Sequence, residues 1–355
     1  MKHIFIRPIL DRFFLIFWYE FKIKMKLQLE NIGIIKNATV QVNGLTVIAG
    51  ENNTGKSTVG KVLFSIIKAN NMAAANQHCQ FMNNMVNLVF DSQISNQGEV
   101  IIQDKGVSIY SVKFSQHRCV RCCQPDSPPF FKESTFIQTP LVWDLVDFFD
   151  SVLRLKQNQE MTQNIAPFSI KYPYIFWDVY VKMTNTPVEK DSQTNDLVKN
   201  IRQIIQGGFE QHDKRIVFQR QNESILLMNV ATGIKYFGLL QRLAENNHLK
   251  PENLLIIDEP ENHLHPEWQL LLAELIVNLV NQHKVYVLIN SHSPYLIEAL
   301  KVYSDISIKE KTHFYFNELT HEGVKVKEVT DDLSFLFDTL SLPFQKLEQT
   351  VLGIS

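Results

Sequence analysis

The sequence predicts an α/β fold in which a mixed sheet is flanked by helices and interrupted by an inserted lobe that runs from mixed α/β to helical. Three observations predict it. The runs Leu45–Ala49, Leu254–Ile257 and Val285–Ile289, apolar except for Thr46, read as short strands covered on both faces. Each is followed by a polar loop and then by a helical pattern, the order expected of a sheet with helices packed on it. Lys26–Leu29 and Ala38–Val42 alternate as half-buried strands do, and His313–Phe316 and Val324–Val329 add strands near the other end.

Between these landmarks the elements follow in order. A helix is expected from Lys56 to about Lys68. Residues 70–135 are rich in Asn and Gln and lose clear periodicity, with strands suggested only at Val100–Gln103 and Val107–Val112. Asp144–Leu155 reads as a helix. Ile216–Phe218 and Ile225–Met228 read as strands. A helix then spans Thr232 to about Asn246. Pro266 opens another that places Trp268, Leu271, Leu272, Leu275, Ile276 and Leu279 on one stripe, and Pro294 opens a third. The expected division is an extension over 1–24, a main domain over 25–142 and 216–345, and an inserted helical lobe over 143–215.

Composition sets bounds. With 355 residues, 45% of them apolar, the chain can build a normal core. A net charge of −2 does not point to nucleic acid. Four cysteines are too few for a disulfide scaffold and fit a cytoplasmic protein. Residues 4–21 are apolar-rich, yet Arg7, Pro8, Asp11, Arg12 and Glu20 interrupt them, and the longest apolar run is Phe13–Tyr19. That excludes a span of about 20 apolar residues. It leaves either a docking helix or a start placed too early, with Met25 the true first residue. No membrane partner is expected.

Gly50-Glu51-Asn52-Asn53-Thr54-Gly55-Lys56-Ser57 matches G-x-x-x-x-G-K-[ST] and sits between a strand and a helix, where that motif has to sit. Its glycines let backbone N–H groups curl around phosphate oxygens, and the helix that continues through Thr58 adds its positive end. Lys56 would reach the β- and γ-phosphates of ATP, and the Ser57 hydroxyl would ligate Mg²⁺. Leu254–Ile257 then delivers Asp258 and Glu259, followed by Pro260, at the C-terminal end of a buried strand. Asp258 would hold Mg²⁺ through water, and Glu259 would act as general base. His292, between a buried strand and the helix that Pro294 starts, is a candidate sensor of the γ-phosphate; helix capping is the competing reading.

Taken together these residues resemble the ABC-type ATPases, and specifically the short SMC-like P-loop ATPases related to the OLD and anti-phage-defence ATPases. Asp258-Glu259-Pro260-Glu261-Asn262-His263-Leu264-His265-Pro266 is similar to that group's Walker B and D-loop, and Ser291-His292-Ser293-Pro294 to its His switch. Phe136–Leu141 resembles its Q-loop, which implies Gln138 as a Mg²⁺ and water sensor; a loop amide at a strand end competes. Ala231-Thr232-Gly233-Ile234-Lys235 stands where the signature motif belongs, with Thr232 in place of the usual serine. Thr232 keeps the hydroxyl, so it can cap the helix and face a phosphate, and a plain helix cap competes for Thr232 and Gly233. The resemblance covers about residues 25–70, 135–142 and 229–305.

The resemblance implies a homodimer or larger assembly with ATP held between a P-loop and the other subunit's signature helix. It also implies a separately encoded effector, a nuclease or toxin, in phage defence. The alternative is an SMC-like ATPase that binds DNA in repair or maintenance. Walker motifs about 200 residues apart, without heptads, exclude long coiled-coil arms. The 63 residues after His292 are too few for a Toprim nuclease domain, so no nuclease activity is expected in this chain. Cys119, Cys122 and Cys123 hold a C-x₂-C pair, a zinc spacing whose remaining ligands would come from Cys79, His78 or His117. Reduced cysteines in an insert are the simpler reading.

Overall fold

The computed structural model describes residues 24–72, 77–123, 131–161, 172–185, 195–212 and 215–351. The expected extension over 1–24 lies outside them apart from Lys24. Residues 45–49 form β3, and all five are buried, as a strand covered on both faces requires; the one polar side chain, Thr46, donates to Gln41 O at 2.8 Å. β3 lies in a sheet of 11 strands, ordered β6-β5-β4-β1-β2-β14-β13-β3-β12-β11-β7. The strands are β1 (Met25–Ile32), β2 (Ile35–Val42), β3 (Leu45–Ala49), β4 (Gln97–Asp104), β5 (Val107–Ser115), β6 (Arg118–Cys123), β7 (Glu133–Ile137), β11 (Asn253–Asp258), β12 (Tyr286–Ser291), β13 (Thr312–Thr320) and β14 (Gly323–Glu328).

The sheet has two characters. β7, β11, β12, β3 and β13 run parallel, and β11 and β12 are buried at every position. β2, β1, β4, β5 and β6 pair antiparallel, and their burial alternates, as in a sheet with one wet face. The β13–β14 hairpin joins the halves, with β14 parallel to β2.

α1 (Lys56–Met72) leaves β3 and packs on β7, β11 and β12. α6 (Thr232–Glu245), α7 (Pro266–His283) and α8 (Pro294–Ser307) follow their expected positions. Over 70–135, where periodicity was weak, the chain forms α2 (His78–Phe90) and strands β4 to β7. α2 buries only Met82, Met85 and Val86, too short a stripe to stand out among Asn and Gln. A last helix, α9 (Ser334–Val351), follows β14 and was not anticipated.

Within 143–215 lie α3 (Val146–Met161), α4 (Tyr174–Thr184) and α5 (Asn195–Ile204). A separate sheet of β8 (Gly208–His212), β9 (Arg215–Arg220) and β10 (Glu223–Leu226) closes the segment. These elements share one apolar core with the main sheet. α4 packs on β7, and there buried Lys182 meets Ser134 O at 2.6 Å, Thr135 Oγ1 at 2.8 Å, Asp178 Oδ2 at 2.9 Å and Glu133 Oε1 at 3.2 Å. No helix among the described residues is long and apolar enough to cross a membrane.

Candidate nucleotide site

Sheet register brings the predicted residues to one rim. Ile137 pairs with Ile257, Asp258 with Asn290, and Ser291 with Ala49. Parallel strands therefore end together, and the loops after β7, β11, β12 and β3 carry Gln138, Glu259, His292 and Gly50–Ser57 to the same edge. The expected strand–loop–helix is β3, residues 50–55, then α1.

The loop uses backbone conformations that favour glycine. Gly50 has φ +154° and Gly55 φ +76°, and Asn53 stands at +60°. A Cβ on Gly50 would lie 2.9 Å from Thr54 Oγ1 and 3.1 Å from Asn317 O, so only glycine fits. Thr54 Oγ1 donates to Glu51 O at 2.8 Å, and buried Asn317 on β13 donates to Thr54 O at 2.8 Å. Glu51, Asn52 and Asn53 are exposed, while Thr54 and Lys56 are buried. The Lys56 ammonium folds over the loop and donates to Gly50 O at 3.0 Å and Glu51 O at 2.8 Å. Thr58 N closes the turn on Gly55 O at 3.0 Å.

Ser57 Oγ donates to Asp258 Oδ1 at 2.9 Å, and Asn290 Nδ2 donates to the same oxygen at 2.8 Å. Burial pushes the Asp258 carboxyl above its ordinary pKa against both hydrogen bonds. Glu259 stands in the left-handed region at φ +46°, a conformation costly for a non-glycine residue and typical of strained functional sites. Its Oε1 lies 3.3 Å from Lys56 Nζ and 3.6 Å from His292 Nδ1, and Asn262 Nδ2 donates to Oε2 at 3.1 Å. Burial alone would raise its pKa, but the charge of Lys56 and the Asn262 hydrogen bond outweigh it and hold the carboxyl low. The two adjacent carboxylates are thus driven in opposite directions.

Glu261 has a role that the sequence did not disclose. Its buried Oε1 accepts from Ser291 Oγ at 2.8 Å, His292 N at 2.6 Å and Ser293 N at 3.2 Å. His292 Nδ1 lies 3.1 Å from the same oxygen, outside hydrogen-bond alignment. Glu261 therefore fixes the backbone that carries His292. Ser293 caps α8, accepting from Leu296 N at 3.4 Å, and its hydroxyl donates to Gln269 Oε1 on α7 at 2.6 Å. Asn290 and Asn317 were likewise missed as supports. Each sits in a strand, where a polar residue at a buried position was the available signal.

Gln138 is exposed, one residue beyond β7 and level with Asp258 by register. Next to it, Thr139 Oγ1 meets His263 Nε2 at 3.2 Å. The signature segment differs from expectation in one respect. Ala231, not Thr232, is the N-cap of α6, and no side chain caps that end. Thr232 is the first helical residue, so its hydroxyl does not perform the capping expected of it. Gly233 sits beside the D-loop, where an added Cβ would touch Leu264 and Trp268, each at 3.4 Å.

A profile of the AAA ATPase domain matches residues 154–297, a stretch that includes Asp258, Glu259 and His292. That stretch of the chain is similar to the AAA ATPase domain. Over 97 residues, 25% of its length, the chain is 31% identical to the Septu protein PtuA of Bacillus thuringiensis. The match spans only 24% of that relative's length. Among solved structures, the SMC head domain from Thermotoga maritima aligns over 86% of this chain and 98% of its own, at 11% identity and TM-score 0.46. The SMC head from Pyrococcus furiosus, with an extended coiled coil and bound to the C-terminal domain of ScpA, aligns over 89% and 98% at 13% identity and TM-score 0.47.

Proposed function

We propose that this ATPase binds ATP with Mg²⁺, hydrolyses it, and works as a dimeric switch for a separately encoded effector, a nuclease or toxin, in phage defence. The observation that carries the catalytic part is Glu259, held at a left-handed φ between Lys56 and His292 and directly after the aspartate that binds Ser57.

The residues fit the ligands. Positive-φ glycines at 50 and 55 give the loop the backbone a phosphate cradle needs, and a Cβ at Gly50 would collide with Thr54 and with Asn317, which hold that loop in shape. Lys56 is held by two carbonyls and Glu259, an arrangement from which the ammonium can transfer to phosphate oxygens. Ser57, Asp258 and Gln138 supply the hard oxygen donors that Mg²⁺ takes. Mg²⁺, when bound, neutralises charge on phosphate oxygens. The chain's own groups do the remaining work. The loop amides orient the phosphates, Glu259 accepts a proton from the attacking water, and His292, steadied by Glu261, faces the charge that develops.

Two features support a dimer and a defence role. The first-turn amides of α6 have no side-chain cap, so the Thr232–Gly233 end suits an anion brought by a second subunit. The identity to the Septu protein, with the resemblance to the anti-phage-defence ATPases, favours that setting over DNA repair.

Glu259→Gln is the test. ATP cleavage in single-turnover assays should fall by roughly 10²–10⁴-fold, with ATP still bound and the ATP-dependent dimer longer-lived. If the native chain cleaves no ATP and the variant leaves dimer lifetime unchanged, the switch is wrong. Affinity capture from native cells should retain the effector. Salt-dependent duplex binding without one would favour the DNA-maintenance reading.

A further inference from the structure

Far along the sheet from the P-loop, on edge strand β6, three thiols converge. Cys119 and Cys122 lie three residues apart, and in a regular strand an odd separation puts side chains on opposite faces. Here the register breaks. Phe114 pairs with Cys119, but Lys113 pairs with Arg121, so Val120 is an extra residue that faces no partner on β5. This bulge reverses the parity and turns Cys122 to the side of Cys119. Their Sγ atoms stand 3.2 Å apart.

The third thiol comes from another element. Cys79 sits in the first turn of α2, and the ligand atoms of Cys79, Cys119 and Cys122 all lie within 4.8 Å of one another. α2 is docked there by a two-point clamp: Asn83 Oδ1 accepts from Cys119 N at 2.8 Å, and Asn83 Nδ2 donates to Cys119 O at 3.3 Å. The clamp fixes the helix against the bulged strand, so the three sulfurs do not depend on a flexible loop. Tyr110 Oη lies 3.8 Å from Cys122 Sγ, an outer hydroxyl of the kind that orients a metal thiolate. The fourth cysteine, Cys123, is exposed and is not part of the group.

We propose that Cys79, Cys119 and Cys122 form a binding site for one thiophilic d¹⁰ cation, for which zinc is the probe. Sulfurs around a tetrahedral zinc at about 2.3 Å stand about 3.8 Å apart, within the spread seen here. Each thiol that ligates releases its proton to solvent. No fourth His, Cys, Asp or Glu joins the cluster among the described residues, so the ion keeps one position for water or an added thiol. Cys119 is buried, while Cys79 and Cys122 are half-buried, so the site is firm on one side and reachable on the other. The site pins α2 to the sheet edge and is independent of the ATPase chemistry.

The full chain is purified under thiol, equilibrated with Zn²⁺, desalted and measured by elemental mass spectrometry. About one zinc per chain is expected, with affinity lowered roughly 100-fold or more in Cys79→Ser, Cys119→Ser and Cys122→Ser and unchanged in Cys123→Ser. Because Cys119→Ser also alters a buried side chain, the native chain is titrated with Co²⁺ in parallel. A saturable near-ultraviolet thiolate charge-transfer band, displaced by zinc, is expected. Three results overturn the site: no stoichiometric zinc with no cobalt band, zinc retained by the Cys119→Ser and Cys122→Ser variants, or a Cys119–Cys122 disulfide persisting in the thiol-treated chain when zinc is supplied.

Discussion

Glu261 offers the sharpest test of how the loop that carries His292 is built. Three donors converge on its Oε1, from Ser291 Oγ, His292 N and Ser293 N, while Oε2 is buried without a hydrogen-bond partner. Glu261→Ala removes all three bonds. At about 1.5 kcal/mol each for bonds to a charged acceptor, less the relief of no longer burying a carboxyl group, the net loss is about 3 kcal/mol. For a chain of this size that lowers Tm by about 4 °C. Because the lost bonds hold the backbone of His292, turnover should also fall by roughly 10²-fold, the cost of misplacing a catalytic group by about 1 Å. Glu261→Gln separates geometry from burial. Its carbonyl oxygen can keep all three donors, and its amide occupies the place of an oxygen that already lacks a partner. The glutamine variant should lose only about 1 kcal/mol and retain most turnover. Scanning calorimetry and steady-state ATPase assays read both quantities. The reasoning is refuted if alanine melts within about 0.5 °C of the native chain with full turnover, or if glutamine is as damaged as alanine.

Two other expectations concern the frame of the site. Glu133 is held down to about 2 from its ordinary 4.5: burial would raise it, but the His248 hydrogen bond and the Lys182 charge prevail. A depressed folded pKa contributes stability that is present above the unfolded value and lost as pH falls toward the folded one, here about 3 kcal/mol between roughly pH 4.5 and 2. Acid titration followed by circular dichroism should show that slope in the native chain, and Glu133→Gln should remove it; an identical slope in the variant contradicts the assignment. Gly238, inside α6, leaves no room for a methyl group, since its Cβ would stand 2.2 Å from Phe209 Cε2. Phe209 is buried and stacked on Trp143 at 4.6 Å, so it has nowhere to retreat. Gly238→Ala should therefore destabilise by about 1–2 kcal/mol despite alanine's better helix propensity, and a raised Tm would contradict the packing argument.

How legible the site was in the sequence depended on the range of the contact. Gly50–Ser57 could be read directly, because cradling phosphate demands those residue types in consecutive positions. Asp258 and Glu259 could be read because a buried strand must end where they begin. Glu261 stood in a run already singled out, yet its role depends on residues 30 positions later, and no local pattern encodes that contact. Asn317 is more distant still: it steadies the P-loop from the far side of β3. The bulge at Val120 was hidden for a different reason. Residues 118–123 fall in a stretch without clear periodicity and read as clustered cysteines in an insert, and only the pairing with β5 shows which two share a face. Helix α2 escaped because amphipathicity needs a stripe longer than three residues to rise above an Asn-rich background.

The contacts around Glu259 continue into the rest of the molecule. His263, four residues on, meets Thr139 at the end of β7. Thr139 opens the 3₁₀ turn Pro140–Leu145, accepting from Leu141 N at 3.2 Å. That turn buries Trp143, whose Nε1 donates to Lys235 O in α6 at 2.8 Å. Lys235 Nζ returns the contact through Asp144 Oδ1 at 2.6 Å, and Gly233 at the head of the same helix packs on Leu264 and Trp268. The circuit closes on the segment it left. Hydrogen bonds and buried side chains thus connect the turn 260–263 to the helix that carries Thr232. Glu259 and the uncapped end of α6 are thereby held in one packed unit, and the function proposed above requires such a unit if chemistry at one subunit is to alter its grip on another.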